Sequence, residues 1–205
     1  MSNRPPRSAP PASDTRRRLP REERARQLLG VAWTLVGDEG TDALTLGRLA
    51  ESAGVTKPVV YDHFGSRNGL LAALYRDYDV RQTAIFDAAI AEARPKLQEK
   101  AAVVASSYVD CVLSQGREIS GVVAALGGSP ELTEVKRHYQ HAFIEKCQTI
   151  FAPFAGADGI AAASLWAMLG AADALSQAAV DGDISDVQAR DELERCILAM
   201  VKRSR

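Results

Sequence analysis

Between Thr45 and Arg67 the run TLGRLAESAGVTKPVVYDHFGSR sets hydroxyl, cationic and aromatic side chains at short intervals. Thr45, Arg48, Thr56, Lys57, Tyr61, His63 and Arg67 can all donate hydrogen bonds, which suits an anionic oxygen-rich partner. Lys57 can reach a phosphate or a guanine edge, and Thr56 can bond a phosphate or cap a helix. Val59 can lie against a thymine methyl group. The chemistry implied is recognition of nucleic acid.

Such donors work only if helices hold them. Leu46, Leu49 and Ala50 share one helical face, and Thr45 stands at the N-cap position. Gly54 interrupts the pattern where a turn needs positive φ. Thr56 is a second N-cap candidate, and Pro58 fits a first helical turn, where its missing N–H costs nothing. Helix, glycine turn and short second helix make a helix-turn-helix, whose second helix enters the major groove.

Ala50-x-x-x-Gly54-Val55 followed by TKPVVYDHFGSRNGLL resembles the DNA-binding signature of TetR-type transcriptional regulators. The likeness runs from Arg21 to Leu74, about a quarter of the chain. It implies that Tyr61 and His63 contact backbone phosphates, although each ring could equally brace the head. It gives Arg67 to phosphate, and Thr45 to phosphate or to capping alone. Arg48 falls where members carry contacting side chains; Gly47, in a similar position, can make none. Val60 and Phe64 read as core.

The net charge of −1 conceals an asymmetry. Residues 1–26 hold eight Arg against three acids, whereas residues 82–205 hold twelve Lys/Arg against sixteen acids. A basic end on an acidic body directs an anionic partner to the front only. Residues 1–20, rich in Pro, Ser and Arg, are expected to be a disordered basic arm. Arg16, Arg17 and Arg18 would enter the adjacent minor groove. Deleting residues 1–18 should then weaken binding and flatten its salt dependence, and an unchanged salt slope would refute the arm.

Helix one is expected over Arg21 to Val36, ended by Gly37 to Gly40, and residues 21–68 form the DNA-binding domain. Ser66 should cap a fourth helix reaching Ala93 and joining head to body. Residues 69–205 make the body, with helices over Leu97–Ser114, Arg117–Leu126, Pro130–Phe151, Gly159–Val180 and Asp186–Lys202. No alternating strand appears, so the fold class is all-α.

Ile160 to Val180 is apolar enough to resemble a membrane span, but Asp173 inside it argues for a buried soluble helix. Its Ala163, Ala167, Gly170, Ala171, Ala174 and Ala178 form a smooth stripe that admits a close helix, within one protomer or between two. The family resemblance implies a homodimer through the last two helices, with Leu193, Ile197, Met200 and Val201 as the matching face. Tyr108, Cys111, Tyr139, Phe143, Cys147 and Trp166 mark a pocket for a small apolar or aromatic effector, with Phe151 and Met168 nearby.

Three separated cysteines without a C-x-x-C pair suit a reducing cytoplasm. Glu134, His138, His141 and Glu145 have helical spacing for a metal, yet a solvated polar face explains them better, so no metal or cofactor is expected. No phosphate loop, nucleophile elbow or HExxH motif points to an enzyme. The reading is a cytoplasmic, ligand-responsive dimeric repressor. The alternatives are an architectural DNA binder without effector and an all-helical enzyme.

Overall fold

The computed structural model describes residues 19–114, 121–125 and 130–205; Arg16, Arg17 and Arg18 lie outside them. The described residues are helical throughout, with no strand. The head comprises α1 (Arg21–Glu39), a short 3₁₀ turn (Thr41–Ala43), α2 (Leu46–Ala53) and α3 (Lys57–Phe64). α4 (Arg67–Glu92) leads into α5 (Leu97–Ser114), then comes a helical stretch, α6, over 121–125. α7 (Pro130–Phe151), α8 (Ala162–Asp181) and α9 (Asp186–Arg203) complete the body.

Local chemistry fixes most of these boundaries. Thr45 accepts the Arg48 backbone N–H at 3.0 Å, and Gly54 sits in the left-handed region at φ 62°, closing α2. Ser66 caps α4 through the Gly69 N–H at 3.0 Å. Thr56 occupies the N-cap position of α3, but its hydroxyl makes no capping bond. α1 runs one turn past the expected stop: Gly37 stays helical, and Gly40, at φ 83°, ends the helix with its N–H on Val36 O. A single glycine only weakens a helix, whereas one at positive φ terminates it.

Two cores form. Leu28, Ala32, Leu49, Val60, Leu70, Leu71 and Leu74 fill the head, joined there by Val122 of α6 and Leu132 of α7. The body core gathers α5, α8 and α9 around Val109, Phe151, Leu165 and Ile197. α4 is shared: its first two turns belong to the head, and the rest of its about 39 Å length runs along the body. Trp33 Nε1 donates to Asp77 Oδ2 at 2.9 Å, and Arg81 bonds the same oxygen while covering the Trp33 ring, tying α1 to α4.

α9 differs from expectation in the face it offers. Leu193, Ile197, Met200 and Val201 are buried within their own protomer, not held out for a partner. α9 carries one apolar stripe, and α5 and α8 of the same chain use it. α8 is likewise not wholly buried. Leu165, Met168, Leu169 and Ala172 face the core, whereas Ala163, Ala167, Gly170 and Ala174 are exposed. Among the described residues no helix is long and apolar enough to cross a membrane.

Candidate nucleic-acid interface and body cavity

The exposed surface of α2 and α3 carries the donors. Thr45, Arg48, Thr56, Lys57, Pro58 and Tyr61 are exposed, and Val59 is half-buried. Val60 is fully buried and Phe64 half-buried against the head core, as their core reading requires. A Cβ built on Gly47 would lie 3.5 Å from Lys57 Cε, 3.8 Å from its Nζ and 3.9 Å from Thr45 Oγ1. The start of α2 and the start of α3 thus converge. The Lys57 ammonium and the Thr45 hydroxyl both lie near Gly47, which adds no side chain between them.

Two arginines are otherwise engaged. Arg67 Nε donates to Leu44 O at 2.9 Å and Nη2 to Thr41 O at 2.8 Å. Where the family resemblance gives this guanidinium to phosphate, the structure gives it to carbonyls between the 3₁₀ turn and α2. The Thr41 carbonyl also accepts the Leu44 N–H that closes the 3₁₀ turn, and the planar guanidinium fork bonds both carbonyls at once. Arg48 pairs with Glu39 through Nε and Nη2, which holds the Glu39 carboxyl below its ordinary value. His63 is pushed below the ordinary imidazole range by burial and then by the nearby Arg21 charge. At neutral pH it therefore offers a neutral N–H to a partner rather than a cation.

Gly69 went unnoticed as a key position. A Cβ there would stand 2.0 Å from the Phe64 carbonyl oxygen, because the end of α3 presses onto the first turn of α4. The sequence signal lay in its place three residues after the Ser66 cap, but only the tertiary contact shows why a side chain is excluded.

The body carries a partly open cavity of about 960 Å³ between α4, α5, α6, α7 and α8. Tyr108, Cys111, Tyr139 and Phe143 line it as anticipated. Cys147 does not: it is fully buried in the body core, where desolvation pushes its thiol up to about 12. Phe151 and Met168 are also core. Trp166 lies outside the cavity, 39% exposed, with its ring edge-on to His141 at 5.2 Å. It lies one turn N-terminal to Gly170, on the same face of α8 that Gly170 and Asp173 turn to the cavity. His138 meets Tyr139 edge-on instead, so the two imidazoles contact different rings.

α4 supplies lining that the sequence reading passed over. Tyr75, Tyr78, Asp79, Gln82, Thr83 and Phe86 recur at intervals of three and four, one helical face turned to the cavity. Tyr75 and Tyr139 pair edge-on at 5.0 Å, Tyr108 and Phe143 tilt together at 5.2 Å, and the Tyr78 hydroxyl lies 2.8 Å from Cys111 Sγ. α6 touches both regions. Val123 and Ala124 line the cavity, while Gly121 lies against Thr41, whose buried hydroxyl has no partner among the described residues.

A short glycine-hinged helix pair with exposed donors on its second helix, mounted on a helical body, defines a helix-turn-helix DNA-binding protein. Residues 28–74 match the family described as bacterial regulatory proteins, tetR family. The transcriptional activator FasR of Mycolicibacterium smegmatis is 47% identical over 72 residues, which are 34% of this chain and 33% of that one. The chain thus spans a third or less of the length of the curated relatives it matches. Over the whole fold it resembles SCO4454, a TetR-family transcriptional regulator of Streptomyces coelicolor. Their TM-score is 0.66 at 21% identity, with 89% of this chain and 96% of that one covered. A Saccharomonospora viridis protein solved in complex with choline is similar at TM-score 0.65 and 15% identity, covering 86% of this chain and 97% of that one.

Proposed function

We propose that the chain is a cytoplasmic, ligand-responsive transcriptional repressor that binds a palindromic operator as a homodimer and leaves it when a small molecule fills the body cavity. The observation that carries this reading is that α4 and α6 each belong to both regions. α4 puts Leu70, Leu71 and Leu74 in the head core and Tyr75, Tyr78 and Phe86 on the cavity wall. α6 puts Val122 in the head and Val123 in the cavity. A ligand that prefers one arrangement of these helices therefore biases the spacing of two recognition helices. That a protein of similar fold was solved in complex with choline is consistent with a small-molecule ligand here.

Dimerisation is supported by Ala163 and Ala167, exposed small residues of α8 that do not line the cavity. One recognition helix reads few base pairs, and two reading a palindrome restore specificity. Thr45, Arg48, Thr56, Lys57, Pro58, Val59, Tyr61 and His63 are the residues assigned to DNA, with Arg67 bracing the surface from behind.

The test is selection of bound sequences from a random duplex pool at near-physiological salt. A two-fold symmetric motif is expected; no enriched motif from folded protein would replace the repressor with a low-specificity architectural binder. On the selected operator, Lys57→Ala should weaken binding across sequences. It should also lower the slope of log K against log salt by about 0.9 for each lysine lost, hence twice over in a dimer. An unchanged slope would remove Lys57 from the phosphate contacts.

A further inference from the structure

The cavity is aromatic, but its charges are not balanced. Lys146 is taken by Asp87, with its Nζ 2.5 and 2.6 Å from the two carboxylate oxygens. Asp110 is taken by Arg190 at 2.7 Å. Asp79 keeps neither hydrogen bond nor ion pair among the described residues, although it is half-buried on the cavity face of α4. Asp173 accepts the Tyr108 hydroxyl and meets no basic side chain among the described residues. Against these two carboxylates stands Lys136, the one lining cation among the described residues that has no carboxylate partner. Burial pushes the Asp79 carboxyl above its ordinary range, with Lys146 and His138 only partly opposing it. The cavity thus holds a carboxylate in surroundings that disfavour its charge.

The rings around it supply the second half of a recognisable site. In an edge-on pair such as Tyr75 and Tyr139, the ring that presents its edge keeps both faces for other neighbours. Tyr108 and Phe143 carry the aromatic wall across to Asp173. Aromatic faces attract a cation within about 6 Å of the ring centre, and most strongly when it is shielded from water. A nearby carboxylate adds an attraction that weakens slowly with distance in a half-buried setting.

We propose that the cavity binds a bulky organic cation, with its nitrogen or phosphorus centre between Asp79 and Asp173 and its apolar groups against Tyr75, Tyr108, Tyr139 and Phe143. The proposal rests on the reading of this cavity as the effector site and narrows the apolar or aromatic effector to one that carries positive charge. The volume, near the upper end of small-molecule sites, calls for a ligand larger than a simple trimethylammonium alcohol.

The probes are tetraphenylphosphonium, the nearly isosteric tetraphenylborate anion and neutral triphenylphosphine oxide, titrated calorimetrically into the full-length protein. The cation should bind at least tenfold more tightly than the anion. Asp79→Asn should weaken the cation at least tenfold and leave the neutral probe unchanged; Asp173→Asn should weaken it severalfold. Asp79→Asn should also melt above the parent protein without ligand, because a disfavoured charge is gone, so loss of binding cannot be ascribed to unfolding. Equal or tighter binding of the anion, or a cation affinity indifferent to both substitutions, overturns the cation site and leaves the effector cavity intact. Failure of all three probes to bind overturns both. Tight cation binding that leaves the operator complex undisturbed upholds the cation site and removes only its effector role.

Discussion

Gly69→Ala is expected to deprive the chain of operator binding while leaving most of its helix in place. The added Cβ would fall 2.0 Å from the Phe64 carbonyl oxygen, and the obstacle is backbone, which cannot swing aside as a side chain can. Either the end of α3 lifts from α4 or the first turn of α4 unwinds and forfeits the Ser66 cap. Overpacking of this kind costs about 1–3 kcal/mol, which for a chain of this size lowers Tm by roughly 2–12 °C. The functional loss should exceed the loss of stability, because the displaced segment is the recognition helix itself. Operator affinity should fall more than tenfold in a gel-shift titration, with far-ultraviolet circular dichroism nearly unchanged at 20 °C. Wild-type affinity with wild-type Tm would show that the α3–α4 junction accommodates a methyl group. Gly30, exposed on α1 with nothing within 4 Å of its added Cβ, is the internal control: alanine there should be neutral or stabilising.

The contrast between these two glycines marks what a sequence discloses. Thr45, Gly54 and Ser66 were legible because capping and left-handed turns are decided within four residues of the chain. Leu97–Ser114 and Pro130–Phe151 fall where helical periodicity places them, because periodicity too is local. The bonds of Arg67 to the Leu44 and Thr41 carbonyls are not legible in the sequence, because these partners lie more than twenty residues away. Trp166 shares its face of α8 with the lining residues Gly170, Asp173 and Gln177, yet it stands one turn short of them and packs on His141, a height along the helix that residue type does not report. The aromatic and acidic face of α4 has a clear period of three and four, but Tyr75 to Phe86 reads equally as a solvated face until α5, α6 and α7 close over it. The stripe of α9 was identified as a contact surface; only the packing of α5 and α8 decides that the contact is internal.

That last correction sharpens the dimer prediction, because it moves the weight from α9 onto the outward residues of α8. Ala167→Arg is the test of choice. Ala167 is exposed in the protomer and does not line the cavity, so an arginine there can extend into solvent without disturbing the core. In a two-fold interface the same substitution occurs twice and sets two buried cations close together. The variant should therefore elute as a monomer, with helical content and monomer Tm close to those of the parent fold. Losing the second half-site removes an effective local concentration that is worth on the order of 10²–10⁴-fold, and binding to a palindrome should fall by that factor. Binding to an isolated half-site should hardly change, since the head is untouched, and this separates loss of dimer from damage to the DNA surface. A variant that remains dimeric with full operator affinity would place the interface elsewhere, and the small residues of α8 would then need another explanation.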